Sequence, residues 1–135
     1  MSARLETVDQ LALEDAAAAA LRRAGASFAF IYGSRADELA TARPDSDLDV
    51  AAWWGRELAV PWGIVEVPEG VDLLVLDQAP LELAGRVALR GRLLFDDDPP
   101  TRVRWQAQTR KIYLDELPRQ ERLHRIFVQA RLGER

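Results

Sequence analysis

The sequence contains no cysteine, which excludes disulfides, zinc fingers and thiol catalysis together. Its single histidine, His124, leaves a His-rich metal site or a Ser-His-Asp triad hard to build. No uninterrupted apolar run approaches the ~18–20 residues that a membrane helix needs. Cationic excess is missing as well: 18 Lys and Arg stand against 22 Asp and Glu, a net charge of −4. Proteins that coat nucleic acid through its phosphates are normally basic, so direct nucleic-acid binding is not expected. The stretch from Met1 to Thr7 lacks the apolar core of a secretory signal. The expectation is a cytoplasmic protein without membrane attachment, whose chemistry rests on carboxylates.

What is present suffices for a folded domain. The 135 residues are 48% hydrophobic, and a chain of this length buries about two thirds of its unfolded surface. One domain spanning 1–135 is expected. Thr7-Val8-Asp9-Gln10 reads as a capping box that opens a helix to Arg23, with Gly25 placed to end it. The bulky apolar run Phe28 to Tyr32, stopped by Gly33-Ser34, predicts a buried strand. Ser34 can cap a short helix over Arg35 to Ala40. Further strands are predicted over Asp47–Trp54, Ile64–Val67, Val71–Leu76 and Leu93–Phe95.

Asp77 and Pro80 open a helix that Gly91 closes, and Asp98 before Pro99 caps another. Pro118 divides that helix from a last one, where Leu123, Ile126, Phe127 and Ala130 form an i, i+3, i+4, i+7 stripe. Trp53 and Trp54 point to opposite faces of their strand, while Asp96-Asp97-Asp98 reads as solvated loop aspartates. Strands in the middle and helices at the ends describe an α+β fold, a small mixed or antiparallel sheet flanked by helices.

Alternation along the strand from Asp47 puts residues 47, 49 and 51 on one face and Leu48, Val50 and Ala52 on the other. Two carboxylates then stand about 6.6–7 Å apart along the backbone. Their repulsion is relieved by a cation, and Mg²⁺ suits hard oxygen ligands that share it with phosphate and water. Asp72, inside the apolar run Val71 to Leu76, is a third carboxylate that is anomalous unless it faces the same site. Gly33-Ser34, where a strand turns into a helix, offers backbone N–H groups and a hydroxyl suited to phosphate. Phosphate and metal sites so arranged describe metal-assisted nucleotidyl transfer.

These motifs, with Arg43-Pro44-Asp45-Ser46-Asp47-Leu48-Asp49-Val50 and Val71-Asp72-Leu73 at their centre, resemble the DNA polymerase β-type nucleotidyltransferase superfamily. The closer likeness is to its smallest branch, the minimal nucleotidyltransferase (MNT) proteins, and it continues through Leu83–Phe95 to Tyr113–Leu117. The resemblance implies an antitoxin paired with a HEPN-domain ribonuclease toxin in a hetero-oligomer. Such a protein uses ATP and Mg²⁺ to add AMP to a tyrosine of the toxin. It further implies that Asp47, Asp49 and Asp72 are catalytic and bind the metal, Asp72 acting as base, and that Gly33 and Ser34 hold the triphosphate.

Two alternatives stand beside this. One is an MNT antitoxin, impaired in catalysis, that neutralises its toxin by binding alone. The loop of twelve residues from 35 to 46 is longer than the family's, and the 55–70 segment is shorter, which favours this alternative. The other is a small-molecule nucleotidyltransferase, for whose second substrate domain 135 residues leave no room.

Overall fold

The structure, a computed structural model, describes residues 2–33, 47–55 and 65–133. Ser34, the helix expected over 35–40, Arg43 and Ile64 lie outside them. The described chain runs through α1 (Ser2–Arg23), β1 (Phe28–Tyr32), β2 (Leu48–Trp53), β3 (Val71–Val75), α2 (Leu81–Arg90), β4 (Arg92–Asp96) and α3 (Pro99–Gly133). The four strands form one sheet in the order β3-β2-β1-β4. β1 pairs antiparallel with both β2 and β4, whereas β2 and β3 run parallel. The sheet is mixed, and the fold is α+β as expected.

Both faces of the sheet are covered, which explains why β1 is apolar at every position instead of alternating. On one face, Ala17 and Leu21 of α1 pack against Ala29, Ile31, Leu48 and Val50. On the other, Phe28, Phe30, Ala51 and Val87 form a second core that Trp105 of α3 flanks. The tryptophan pair divides as alternation predicts. Trp53 stacks on Phe28 with centroids 5.2 Å apart, while Trp54 joins the α1 core and donates its indole N–H to the Ala24 carbonyl at 3.0 Å. Glu14, buried on α1, takes a forked pair of bonds from Arg92 of β4 at 3.0 and 3.2 Å.

Several boundaries differ from the sequence-based expectation, each for a local reason. α1 begins at Ser2, so the Thr7–Gln10 box falls inside the helix; the preceding Ala, Arg, Leu and Glu are strong helix formers. Residues 65–68 are not a strand. Val65 and Val67 instead press their side chains on the α1-side core, and Pro68 has no N–H to give a ladder. Leu76–Gln78 is a single 3₁₀ turn, and Asp77 does not open α2. Its carboxylate accepts the backbone N–H groups of Trp54 and Gly55 at 3.0 and 2.7 Å, tying down the end of β2.

Asp98 does cap α3, accepting from the Thr101 N–H at 3.4 Å. Its neighbours, however, are paired: Asp96 with Arg102 and Asp97 with Arg22, each at 2.9 Å. Pro118 does not divide the last helix, since α3 runs unbroken through it. The bond it forfeits is that of the Leu114 carbonyl, on an exposed stretch where water can replace it.

Candidate active site

Strand register decides which side chains meet. Tyr32 lies opposite Asp49 across the β1–β2 pair, and Asp49 lies opposite Asp72 across the β2–β3 pair. Alternation puts Tyr32 with Phe28 and Phe30, Asp49 with Ala51, and Asp72 with Leu74, all on the α2–α3 face. The three form a row across neighbouring strands, which stand about 4.8 Å apart.

Desolvation differs along the row. Asp72 belongs to the edge strand and is exposed, so its place within an apolar run carries no burial penalty. Asp49 is half-buried, and Asp47 is exposed just ahead of β2. Tyr32 is half-buried, and its hydroxyl is pushed up to about 12, first by burial and then by the negative charges of Asp49 and Asp72. It stays protonated and neutral at physiological pH.

Gly33 follows directly with a backbone φ of +76°, a conformation that side chains rarely adopt. A Cβ at this position would lie 2.5 Å from Oδ2 of Asp49. Glycine therefore does two things here: it makes the turn, and it lets the Asp49 carboxylate lie against the backbone. Ser34, expected to hold phosphate beside it, lies outside the described residues.

Among the described residues, no three carboxylate or imidazole side chains are grouped to hold a metal ion. The structure brings together the Asp49–Asp72 pair, with Asp47 at the entrance of the strand. A pair is what Mg²⁺ ordinarily takes from protein, because substrate phosphate and water complete its shell. The donor set suits that ion.

Beyond Tyr32 and Gly33 opens a cavity of about 1120 Å³. Arg86 and Arg90 of α2 and Tyr113 of α3 line its far side, together with leucines of both helices. Arg86 bonds Glu82 one turn earlier at 2.9 Å; Arg90 has no ion pair among the described residues. Sequence reasoning missed Tyr32, Arg86, Arg90 and Tyr113 as site residues. A signal did exist for the arginines, because i, i+4 spacing puts both on one face of a helix.

No family model and no curated protein matches the chain. Solved structures do. The chain resembles a MntA–HepT toxin–antitoxin structure with a TM-score of 0.62 and 19% identity, over 87% of this chain and 98% of that one. A toxin–antitoxin structure with AMP-PNP gives 0.64 and 20%, over 84% and 98%. A tri-AMPylated Shewanella oneidensis HEPN toxin in complex with MNT antitoxin gives 0.62 and 18%, over 87% and 98%. The fold is that of the MNT nucleotidyltransferases. The likeness extends to nearly the whole of each matched chain. Within this MNT fold, the Tyr32–Asp49–Asp72 row and Gly33 occupy one end of the sheet, and Tyr32 and Gly33 also line the cavity.

Proposed function

We propose that this protein is an ATP-dependent nucleotidyltransferase of the cytoplasm that acts as an antitoxin, adding AMP to a tyrosine of a HEPN ribonuclease toxin. The observation that carries this is the register of Asp49 against Asp72, with Gly33 closed against the Asp49 carboxylate. Similarity to toxin–antitoxin complexes, one with AMP-PNP and one with an AMPylated toxin, supports the choice of nucleotide and partner.

In this mechanism the Asp49–Asp72 pair would hold Mg²⁺, Asp47 at the strand entrance would face the ion's open side, and Gly33 and Ser34 would cradle the triphosphate. An ion held there would supply charge neutralisation at the phosphate. Asp72, exposed and reachable from solvent, accepts the proton of the incoming tyrosine hydroxyl. The tyrosine oxygen bonds to the α-phosphorus, the bond from that phosphorus to the bridging oxygen breaks, and pyrophosphate leaves. Asp49 lies against the backbone of Gly33, in space that a Cβ there would fill. Tyr32 keeps its proton and presents a neutral wall beside the two charges.

The test is transfer of label from α-labelled ATP to a HEPN protein encoded beside this one and purified with it. Label should appear on a toxin tyrosine only with Mg²⁺, and Asp72→Asn should slow transfer about 10²–10⁴-fold. Neutralisation of the nuclease without label transfer would establish the binding-only alternative instead.

A further inference from the structure

In the reaction proposed above, the leaving group carries more negative charge than one divalent ion and a neutral backbone cradle offset. Pyrophosphate departs with several negative charges, and the residues nearest the reacting phosphorus are themselves carboxylates. Among the described residues, cations line the cavity that opens beyond Tyr32 and Gly33. We propose that Arg86 and Arg90 hold the pyrophosphate portion of the nucleotide and stabilise it as it leaves, an inference that rests on the nucleotidyl-transfer reading.

Three observations converge on these side chains. First, the end of α2 is pinned beside the end of β1. The Gly91 N–H donates to the Val87 carbonyl at 2.8 Å, a Cβ on Gly91 would meet Phe30 at 3.1 Å, and Arg92 pairs with Ile31. Arg90 is therefore delivered to the same cavity as Tyr32 and Gly33.

Second, Arg86 and Arg90 are the charged residues of that cavity's lining among the described residues, in a chain whose net charge is −4. Like charges at i, i+4 repel along a helix, and a shared anion relieves that repulsion. Third, guanidinium groups match phosphate oxygens in a two-pronged geometry that a lysine cannot reproduce. Arg90 has no ion pair among the described residues, while Arg86 also bonds Glu82.

The adenosine end carries no such charge and would gain nothing from two cations. An acceptor segment of the partner would gain from them only if acidic. These are the rivals that binding measurements separate.

Calorimetry should compare Mg-pyrophosphate, Mg-ATP and AMP on the full chain, the Arg86→Gln/Arg90→Gln double variant and the Arg90→Lys variant. Melting temperatures check that each variant folds. The double variant should weaken pyrophosphate and ATP about tenfold or more while leaving AMP unchanged, and Arg90→Lys should fall between. Equal weakening of AMP would overturn the proposal in favour of an adenosine pocket. Unchanged pyrophosphate and ATP binding with a raised acceptor KM would overturn it in favour of acceptor recognition. A wild-type chain that does not bind pyrophosphate would also overturn it. Failure of the nucleotidyl-transfer reading looks different: arginine-dependent pyrophosphate binding would persist, with no label reaching any toxin tyrosine.

Discussion

At Gly33 two constraints fall on one atom, the Cβ that glycine lacks. Alanine there must adopt a φ of +76° and push aside Oδ2 of Asp49. The backbone penalty is about 1–2 kcal/mol, a loss of several degrees in Tm, which the fold can survive. Transfer cannot survive displacement of the carboxylate so easily. Gly33→Ala should fold, melt a few degrees lower, and transfer AMP more than about tenfold more slowly.

Tyr32 makes a prediction about pH. Its folded pKa of about 12 lies above the ordinary 10, so the unfolded chain ionises first as pH rises. The stability contributed by the neutral buried phenol is complete below pH 10 and is lost between about 10 and 12. Spectrophotometric titration should show one of the two tyrosines ionising late, and Tyr32→Phe should abolish that step. A late step that survives in the Phe variant would remove the carboxylate row from the electrostatics of this residue.

Elements are held by contacts that differ in kind from face to face. α1 is fixed by apolar packing and by the Glu14–Arg92 fork. α2 and α3 are joined by a close approach at Gly85, where a Cβ would overlap the ring of Tyr113. Ala88 adds to this, its carbonyl accepting from Gln106 and Arg110 at 2.9 and 2.6 Å. In an unencumbered helix, Gly→Ala stabilises by roughly 0.5–1 kcal/mol. Here the sign should reverse. Gly85→Ala should destabilise by about 1–3 kcal/mol in urea unfolding, because the methyl group must displace a ring that also lines the cavity. A neutral or stabilising result would mean that the two helices can separate at no cost.

Over the whole molecule, acidity and an apolar helix face point to the same kind of partner. A net charge of −4 favours encounter with a basic protein, and a nuclease must be basic where it meets RNA. Along α3, Leu123 and Ile126 are 57% and 56% exposed, the first half of the stripe expected from the sequence. The side chains of Phe127 and Ala130, its second half, lie outside the described residues. Among the described residues no helix is long and apolar enough to cross a membrane. Association with the HEPN protein should therefore slow as salt rises, while Ile126→Asp should mainly raise the off-rate, both measurable by stopped flow or surface binding. An on-rate indifferent to salt would remove electrostatic steering from this picture.

Much of this protein could be read before folding was considered. Phe28 to Tyr32, Val71 to Val75 and the two flanking helical stretches declare their type through local pattern, since periodicity and turn residues act over a few positions. The Asp47–Asp49 alternation and the halt at Gly33 were legible for the same reason. Pro118 misled because a local rule was applied where exposed backbone lets water make good the lost bond. Likewise Asp96 and Asp97 looked solvated because their partners, Arg102 and Arg22, lie on other elements. Tyr32 joined Asp49 and Asp72 only through strand pairing, which no short stretch of chain encodes. Arg86 and Arg90 came to line one cavity with Tyr32 and Gly33 only through the packing of α2 beside β1, where Gly91 approaches Phe30. Residue type and local geometry are properties of neighbours along the chain; which charges face one another depends on contacts between residues far apart in it.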